Sequence, residues 1–387
     1  MTVVAFLRPP SLEWYSNFLL TIFHQMNTKY NLFGRRKWLK VFSLGSIGLS
    51  FPEINNFRKI INSHDRIYPG GNILRQPAKK SNPVSLVKGD DHYEIISKSL
   101  KNIEEEVIKS IGDKTILIKP NMVLDNIPAC ATDPIAVKAI LDFLRPHFKK
   151  QILIAESTAA FKDVTTLDLF KQYGYLSLTD NYNVKFIDLN KEGYEYRYIL
   201  GTENKPNFIR VTRPFLDHDI YIISAAKMKT HAQCIVTLSL KNVLMAAPIN
   251  DYKKTDWKSG DKFDMHIIPD AAVNGPIFYN LFQMAHYVYP DLAVIDGYEG
   301  MEGNGPAGGT PVASRIAIAS LDALAADTIG ALVMGFDPEM IPYLRFLNQG
   351  GFGQGNIKDI VVIGTPVNQC KMKFRPSDQS AKVFNLS

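Results

Sequence analysis

From residue 84 onward the chain alternates apolar runs of strand length with amphipathic runs of helix length. Such alternation is met most economically by a parallel sheet with helices on both faces. Val84-Ser-Leu-Val-Lys88 reads as a strand, and residues 93–111 follow with helical spacing and a Glu/Lys-rich outer face. Residues 115–119 read as a buried strand ended by Pro120. Asp133-Pro134 then opens a helix to residue 143, with Asp or Thr as its cap and proline in its first turn. Residues 151–155 and 184–189 supply further strands, with 165–173 as a crossover helix. Strands are also expected at 220–224, 292–296, 314–320 and 359–363, with helices at 321–334 and within 266–287, the latter beginning near Asp270. A chain of 387 residues exceeds the usual single domain. The expectation is an α/β fold in two interlocked lobes over 83–370, with a linker at 57–82 and a tail at 371–387.

The segment that invites chemistry follows the strand at 220–224. There Lys227, Lys229, His231 and Lys241 crowd a strand's carboxyl end, which is where open α/β sheets bind ligands. His231 and Lys241 are the candidate catalytic pair. Lys119, Asn121 and Asp133 follow another strand, and with Lys227, Lys229 and Asn242 they would line a pocket for a small carboxylate or phosphate if strand order brings them together. For Asp133 a helix cap is the equal alternative. A third element is the glycine-rich stretch 297–309, read as a loop after a strand. Gly303 and Gly305 would let backbone N–H groups approach an anion. Glu299 and Glu302 point the other way, toward a metal or a protonated substrate. His231, His266 and Glu302 are therefore the candidate ligands for a divalent metal. His64, His92, His147, His218 and His286 sit in polar or helix-surface contexts, and His24 lies ahead of the arginine pair.

Composition narrows the classes. The formal net charge is +6, without a long basic run interleaved with aromatics, so nucleic acid is not implied. Cys130, Cys234 and Cys370 lie far apart, so no paired-thiol zinc or iron–sulfur site can be built, and the odd count leaves at least one thiol outside any disulfide.

The Lys227–Pro248 segment, together with Ile116-Leu-Ile-Lys-Pro-Asn121, Ala131-Thr-Asp-Pro134, Ala155-Glu-Ser157 and Asp296-Gly-Tyr-Glu-Gly-Met-Glu-Gly-Asn-Gly-Pro306, resembles the uncharacterised family catalogued as domain of unknown function 362. That resemblance implies no settled reaction. Some of its members carry ferredoxin-like cysteine motifs, which this chain lacks, so no iron–sulfur cluster is expected. More remotely, Lys-Thr-His231, the step to Lys241 and the later His266 resemble nickel-dependent lactate racemase. This second resemblance implies a similar two-lobed fold, with Lys241 as the tether of a nickel-pincer nucleotide and His231 and His266 around it. Ser239-Leu240 stands where the racemase pattern has Gly-Gly, and Asp133 where it has an early histidine.

At the amino terminus, Gly34-Arg-Arg-Lys-Trp-Leu-Lys40 precedes the weakly apolar stretch 41–51 and resembles a twin-arginine export signal. The apolar run is about half the ~20 residues that cross a bilayer, so no stable membrane span is expected. The start is Met1 or Met26, and a basic amphipathic surface helix is the alternative reading. The sequence thus leads to an exported protein acting on a small anion by His/Lys acid–base chemistry, with the twin-arginine machinery as its export partner. The alternative is a periplasmic protein that binds or delivers a metal or an anion without turnover.

Overall fold

A computed structural model describes residues 82–201, 205–256, 259–266 and 275–386. The export-signal reading, nearly all of the linker and the helix start near Asp270 lie outside the described residues. Among those described, no helix is long and apolar enough to cross a membrane.

In chain order the elements are β1 (Val84–Lys88), α1 (His92–Lys101), α2 (Glu104–Ile111), β2 (Thr115–Pro120), α3 (Pro134–Leu144), β3 (Ile152–Glu156), α4 (Thr166–Gln172) and β4 (Val184–Asp188). Next come β5 (Tyr194–Leu200), β6 (Pro206–Thr212), β7 (Ile220–His231), β8 (Ile235–Thr237), α5 (Ser239–Leu244), α6 (Asp261–Asp264) and α7 (Gly275–Ala285). The chain closes with β9 (Leu292–Asn304), β10 (Gly308–Val312), β11 (Ile316–Ser320), α8 (Ala323–Val333), α9 (Pro342–Gln349), β12 (Val362–Gly364), α10 (Val367–Cys370) and α11 (Asp378–Phe384).

The main sheet runs β12-β1-β11-β9-β7-β2-β3-β4. Of these eight strands only β11 runs against its neighbours; the pairs β2–β3, β2–β7, β3–β4, β7–β9 and β1–β12 are parallel. The α/β, mostly parallel architecture is therefore present. One apolar core takes Leu240 and Val243 of α5, Leu281 of α7, Leu324 and Ile329 of α8 and Leu344 of α9; the other takes Ile96 of α1, Val107 of α2, Ile140 of α3 and Phe170 of α4. Residues 82–386 belong to one compact unit, so these two cores are the two faces of one sheet.

Local chemistry explains most boundaries. Asp133 caps α3 by accepting from the Ile135 N–H at 2.8 Å, with Pro134 at the first helical position. Thr165 and Asp168 form a reciprocal capping box on α4.

Four expectations are corrected. The helix expected over 93–111 is two helices, broken at Asn102 and Ile103, where the Asn102 amide turns to Ser85 Oγ at 3.0 Å. The strand expected at 220–224 continues as a fully buried strand to His231, with Lys229 bonded to Asn121 and to the Cys130 carbonyl and Lys227 in register with Asp296. The stretch 297–309 is a β-hairpin, not a loop: β9 pairs with β10 from Gly300↔Val312 to Asn304↔Gly308. The expected tail folds back on that hairpin, with Gly303 N donating to Arg375 O at 2.8 Å and Asn304 Nδ2 to Asp378 Oδ2 at 2.8 Å. The antiparallel pair β5–β6 was not foreseen and forms its own small sheet.

Candidate functional site

The chain runs outward from β2 through β3 to β4, and later returns on the other side of β2 as β7. This reversal of strand order opens a crevice at the carboxyl ends of β2 and β7, the position where open α/β sheets hold ligands. A cavity of about 450 Å³ lies there, lined by Lys119, Asn121, Glu156, His231, Lys241, Asn242, Lys262 and His266, with Pro306, Ala307 and Gly308 of the hairpin turn also in its wall. Six sequence candidates thus share one cavity. Glu156 and Lys262 do too, although neither was singled out.

The lysines differ in how far they are satisfied. Lys119 Nζ donates to Pro120 O at 2.7 Å, to Asn242 Oδ1 at 2.7 Å and to Glu156, whose Oε1 lies at 2.8 Å. Glu156 in turn accepts the N–H of Met122 at 2.6 Å and of Ser157 at 2.7 Å. Lys229 Nζ donates to Asn121 Oδ1 and Cys130 O, both at 2.7 Å, and to Pro306 O at 3.3 Å. An ammonium has three N–H donors, so both lysines are saturated and serve as bracing. The amide of Asn242 links the two sets, accepting from Asn121 Nδ2 at 2.8 Å and donating to Ser224 Oγ at 3.0 Å.

Lys241 and Lys262 remain. Lys262 Nζ donates only to Met245 O, at 2.9 Å, and Lys241 Nζ has no hydrogen-bond partner among the described residues. The single cavity carboxylate already serves Lys119, so cationic capacity exceeds anionic. Burial, reinforced by neighbouring lysines, holds the Lys229 and Lys262 ammoniums down to about 7, and burial lowers Lys241 and Lys119 as well.

The histidines are complementary. His231 Nδ1 accepts the backbone N–H of Gln233 at 3.0 Å and of Cys234 at 3.2 Å. A ring nitrogen that accepts carries no proton, so the neutral ring holds its proton on Nε2. His266 Nδ1 faces the Lys262 carbonyl at 2.9 Å, which can only accept, so its lone pair is on Nε2. Burial, then Lys241, keeps His231 well below and His266 at about 4, so both are neutral near pH 7. His231 is therefore a hydrogen-bond donor, and His266 the proton acceptor.

This geometry corrects several assignments. His231 cannot be a general base or a metal ligand at Nε2 without turning an N–H against two backbone donors. Glu302 Oε2 accepts the Arg375 N–H at 2.9 Å and does not line the cavity. Among the described residues no three His, Cys, Asp or Glu side chains gather to hold a metal ion. The donor set does not fit the expected divalent metal or the metal of a nickel-pincer nucleotide, and no step is derived through either. Gly303 and Gly305 are close backbone approaches rather than anion donors: a Cβ on Gly305 would sit 2.0 Å from Thr230 O, and Gly303 has φ +82° beside the Arg375 guanidinium. Asp133 is a cap. All three cysteines are free and buried.

Lys227 belongs to a different cluster. It pairs in register with Asp296, whose Oδ1 lies 2.8 Å from His92 Nε2, and Tyr298 stacks on the His92 ring at 4.6 Å. Lys227 and His92 hold the Asp296 carboxyl below its usual range against the upward push of burial. His92, read as a helix-surface residue, is thus a half-buried partner of Asp296; the two are far apart in sequence, and no local signal joins them.

Helix α5, which carries Lys241 and Asn242, is fixed from behind. Its first N–H groups, on Ser239 and Leu240, donate to the buried Asp327 carboxylate at 2.8 and 3.0 Å. Lys262 and His266 arrive on the excursion between α5 and α7, which the Arg210 guanidinium clamps from β6 through Asp261 at 2.6 Å and Asp251 at 2.7 Å. Tyr252 pins the same excursion by donating to Asp188 Oδ1 at 2.6 Å.

Fold and site together define an open α/β protein with a lysine-rich crevice at its switch point. The chain belongs to the family described as domain of unknown function (DUF362), which matches residues 116–332. It is 28% identical over 233 residues to a thylakoid-associated protein of Synechocystis sp., an alignment covering 60% of this chain and 66% of that protein, just under two thirds of its length. A solved structure of a protein from Thermotoga maritima aligns with 15% identity and a TM-score of 0.41, over 65% of this chain and 61% of that one.

Proposed function

We propose that the cavity binds a small organic anion and moves a proton on it, with Lys262 and His231 holding the anion and His266 Nε2 accepting the proton. The observation that carries this reading is the uncompensated pair Lys241 and Lys262 in a cavity whose one carboxylate is already committed to Lys119. A desolvated cationic wall with one neutral donor and one neutral acceptor suits a carboxylate or phosphate ester better than a cation. The arginine pair at 35–36 and the apolar stretch after it support a further proposal, that the protein is exported.

The test is a thermal-shift screen of small carboxylates and phosphates against the wild type and Lys262→Met. At least one anion is expected to raise the melting temperature by several degrees, with the shift lost in a Lys262→Met protein that melts normally. Equal shifts in both proteins, or none in the wild type, would remove the basis for the reading.

A further inference from the structure

We infer that Lys241 is a nucleophile, and that the anion this cavity accepts carries an aldehyde or ketone carbonyl beside its carboxylate, so that Lys241 joins it as a Schiff base. The inference rests on the reading of the cavity as an anion site and adds its substrate class.

Three observations converge. Lys241 Nζ opens into the cavity without a hydrogen-bond or ion-pair partner among the described residues, whereas Lys119 and Lys229 have every donor engaged. An amine meant only for structure would be braced in the same way. The residues around it favour the uncharged, nucleophilic amine: the wall is apolar where Met122, Val123, Leu124 and Phe161 close it, burial disfavours the ammonium, the Lys119 cation adds to that, and the cavity carboxylate of Glu156 is engaged by Lys119. The two histidines offer what carbonyl addition needs, an N–H from His231 toward the carbonyl oxygen and a bare nitrogen on His266 to carry protons.

The step balances without an outside reagent. The Lys241 nitrogen lone pair forms the C–N bond while the carbonyl π pair moves onto oxygen, which is steadied by the His231 Nε2–H. His266 takes a proton from the new nitrogen and returns it to that oxygen. His266 then relays the second nitrogen proton to the hydroxyl, water leaves as C=N forms, and amine plus carbonyl become imine plus water. Lys262 holds the carboxylate throughout.

The experiment treats the full-length protein with glyoxylate or pyruvate and sodium borohydride, followed by intact mass and peptide mapping. One reduced adduct is expected, on Lys241 of the wild type and absent from Lys241→Arg, which keeps a long basic side chain but no usable nucleophile. In Lys262→Met the adduct should still form but need about tenfold more oxo acid, the loss of one charge-assisted hydrogen bond. An adduct on another lysine, or none at all, overturns the inference. If unreactive carboxylates still raise the melting temperature in that case, the anion site survives without the Schiff base; if they do not, both readings fall.

Discussion

Neighbouring lysines in this protein do opposite jobs, and hydrogen-bond count separates them. Lys119 and Glu156 form a buried ion pair with further partners on both sides, and breaking such a pair costs about 3–5 kcal/mol. Lys241, equally buried, has no such partner. The sequence exposes the cluster, because charges on a strand as apolar as Ile220–Ser224 demand an explanation. It does not reveal which lysine is saturated, since that depends on Glu156, Asn242 and carbonyls far along the chain. A pH dependence follows. Lys229 and Lys262 sit at about 7 in the fold and near 10.4 unfolded, so between those values the unfolded chain binds more protons and stability rises with pH. The buried Asp327, raised to about 8, acts in the opposite sense but only below that value. The Cys234 thiol, raised to about 11 by burial, and the buried tyrosines oppose the rise as the unfolded thiol and phenols ionise, so the urea midpoint should climb from pH 8 to pH 9, and climb less in Lys262→Met; a flat profile there in the wild type would contradict the assignment.

Among the elements, the hairpin β9–β10 closes one side of the cavity wall and was the most misread. Six glycines within 297–309 look like a loop, yet a side chain on Gly297, Gly303 or Gly305 would meet Met228, Arg375 or Thr230, one on Gly300 would meet Phe374, and one on Gly308 or Gly309 would meet the carbonyl of Asn304 or Glu302 on β9. Gly305 is the tightest approach, and its carbonyl accepts the Ala232 N–H at 2.9 Å. Gly305→Ala should push the turn away from Thr230, lower stability by about 2–4 kcal/mol as overlap with the Thr230 carbonyl and lost packing combine, and weaken anion binding together with stability. A chemical-denaturation curve unchanged from wild type would show that the turn has room to yield. The hairpin β5–β6 escaped prediction for a different reason. Its aromatics Tyr196 and Phe208 face solvent, so the in–out alternation that marks a half-buried strand is blurred.

For the whole molecule, the order of elements was legible from residue 115 to residue 189, where strand and crossover helix alternate and local capping signals fall at the true ends. The reversal at β2 and β7 was not, because strand order is set by packing rather than by any local pattern, although six of the residues singled out do gather in the cavity at the strand carboxyl ends. Asp133, Lys227, Lys229, Glu302, Gly303 and Gly305 belong to the surrounding frame instead. At the same scale stands the export proposal: replacing Arg35 and Arg36 together with lysine should leave the protein in the cytoplasmic fraction of a bacterial host, and unchanged fractionation would reject it.

The excursion that brings Lys262 and His266 to the cavity is tied to the remainder by Arg210 and Tyr252, while Lys241, Asn242 and His231 come from the sheet and the helix packed on it. On the proposed reading, the anion-holding Lys262 and the proton-accepting His266 consequently travel together on one stretch of chain, and the amine and its donor histidine on another. A relative could replace residues 250–266 wholesale and greet a different molecule, while the inherited amine and its donor histidine stayed where the sheet put them.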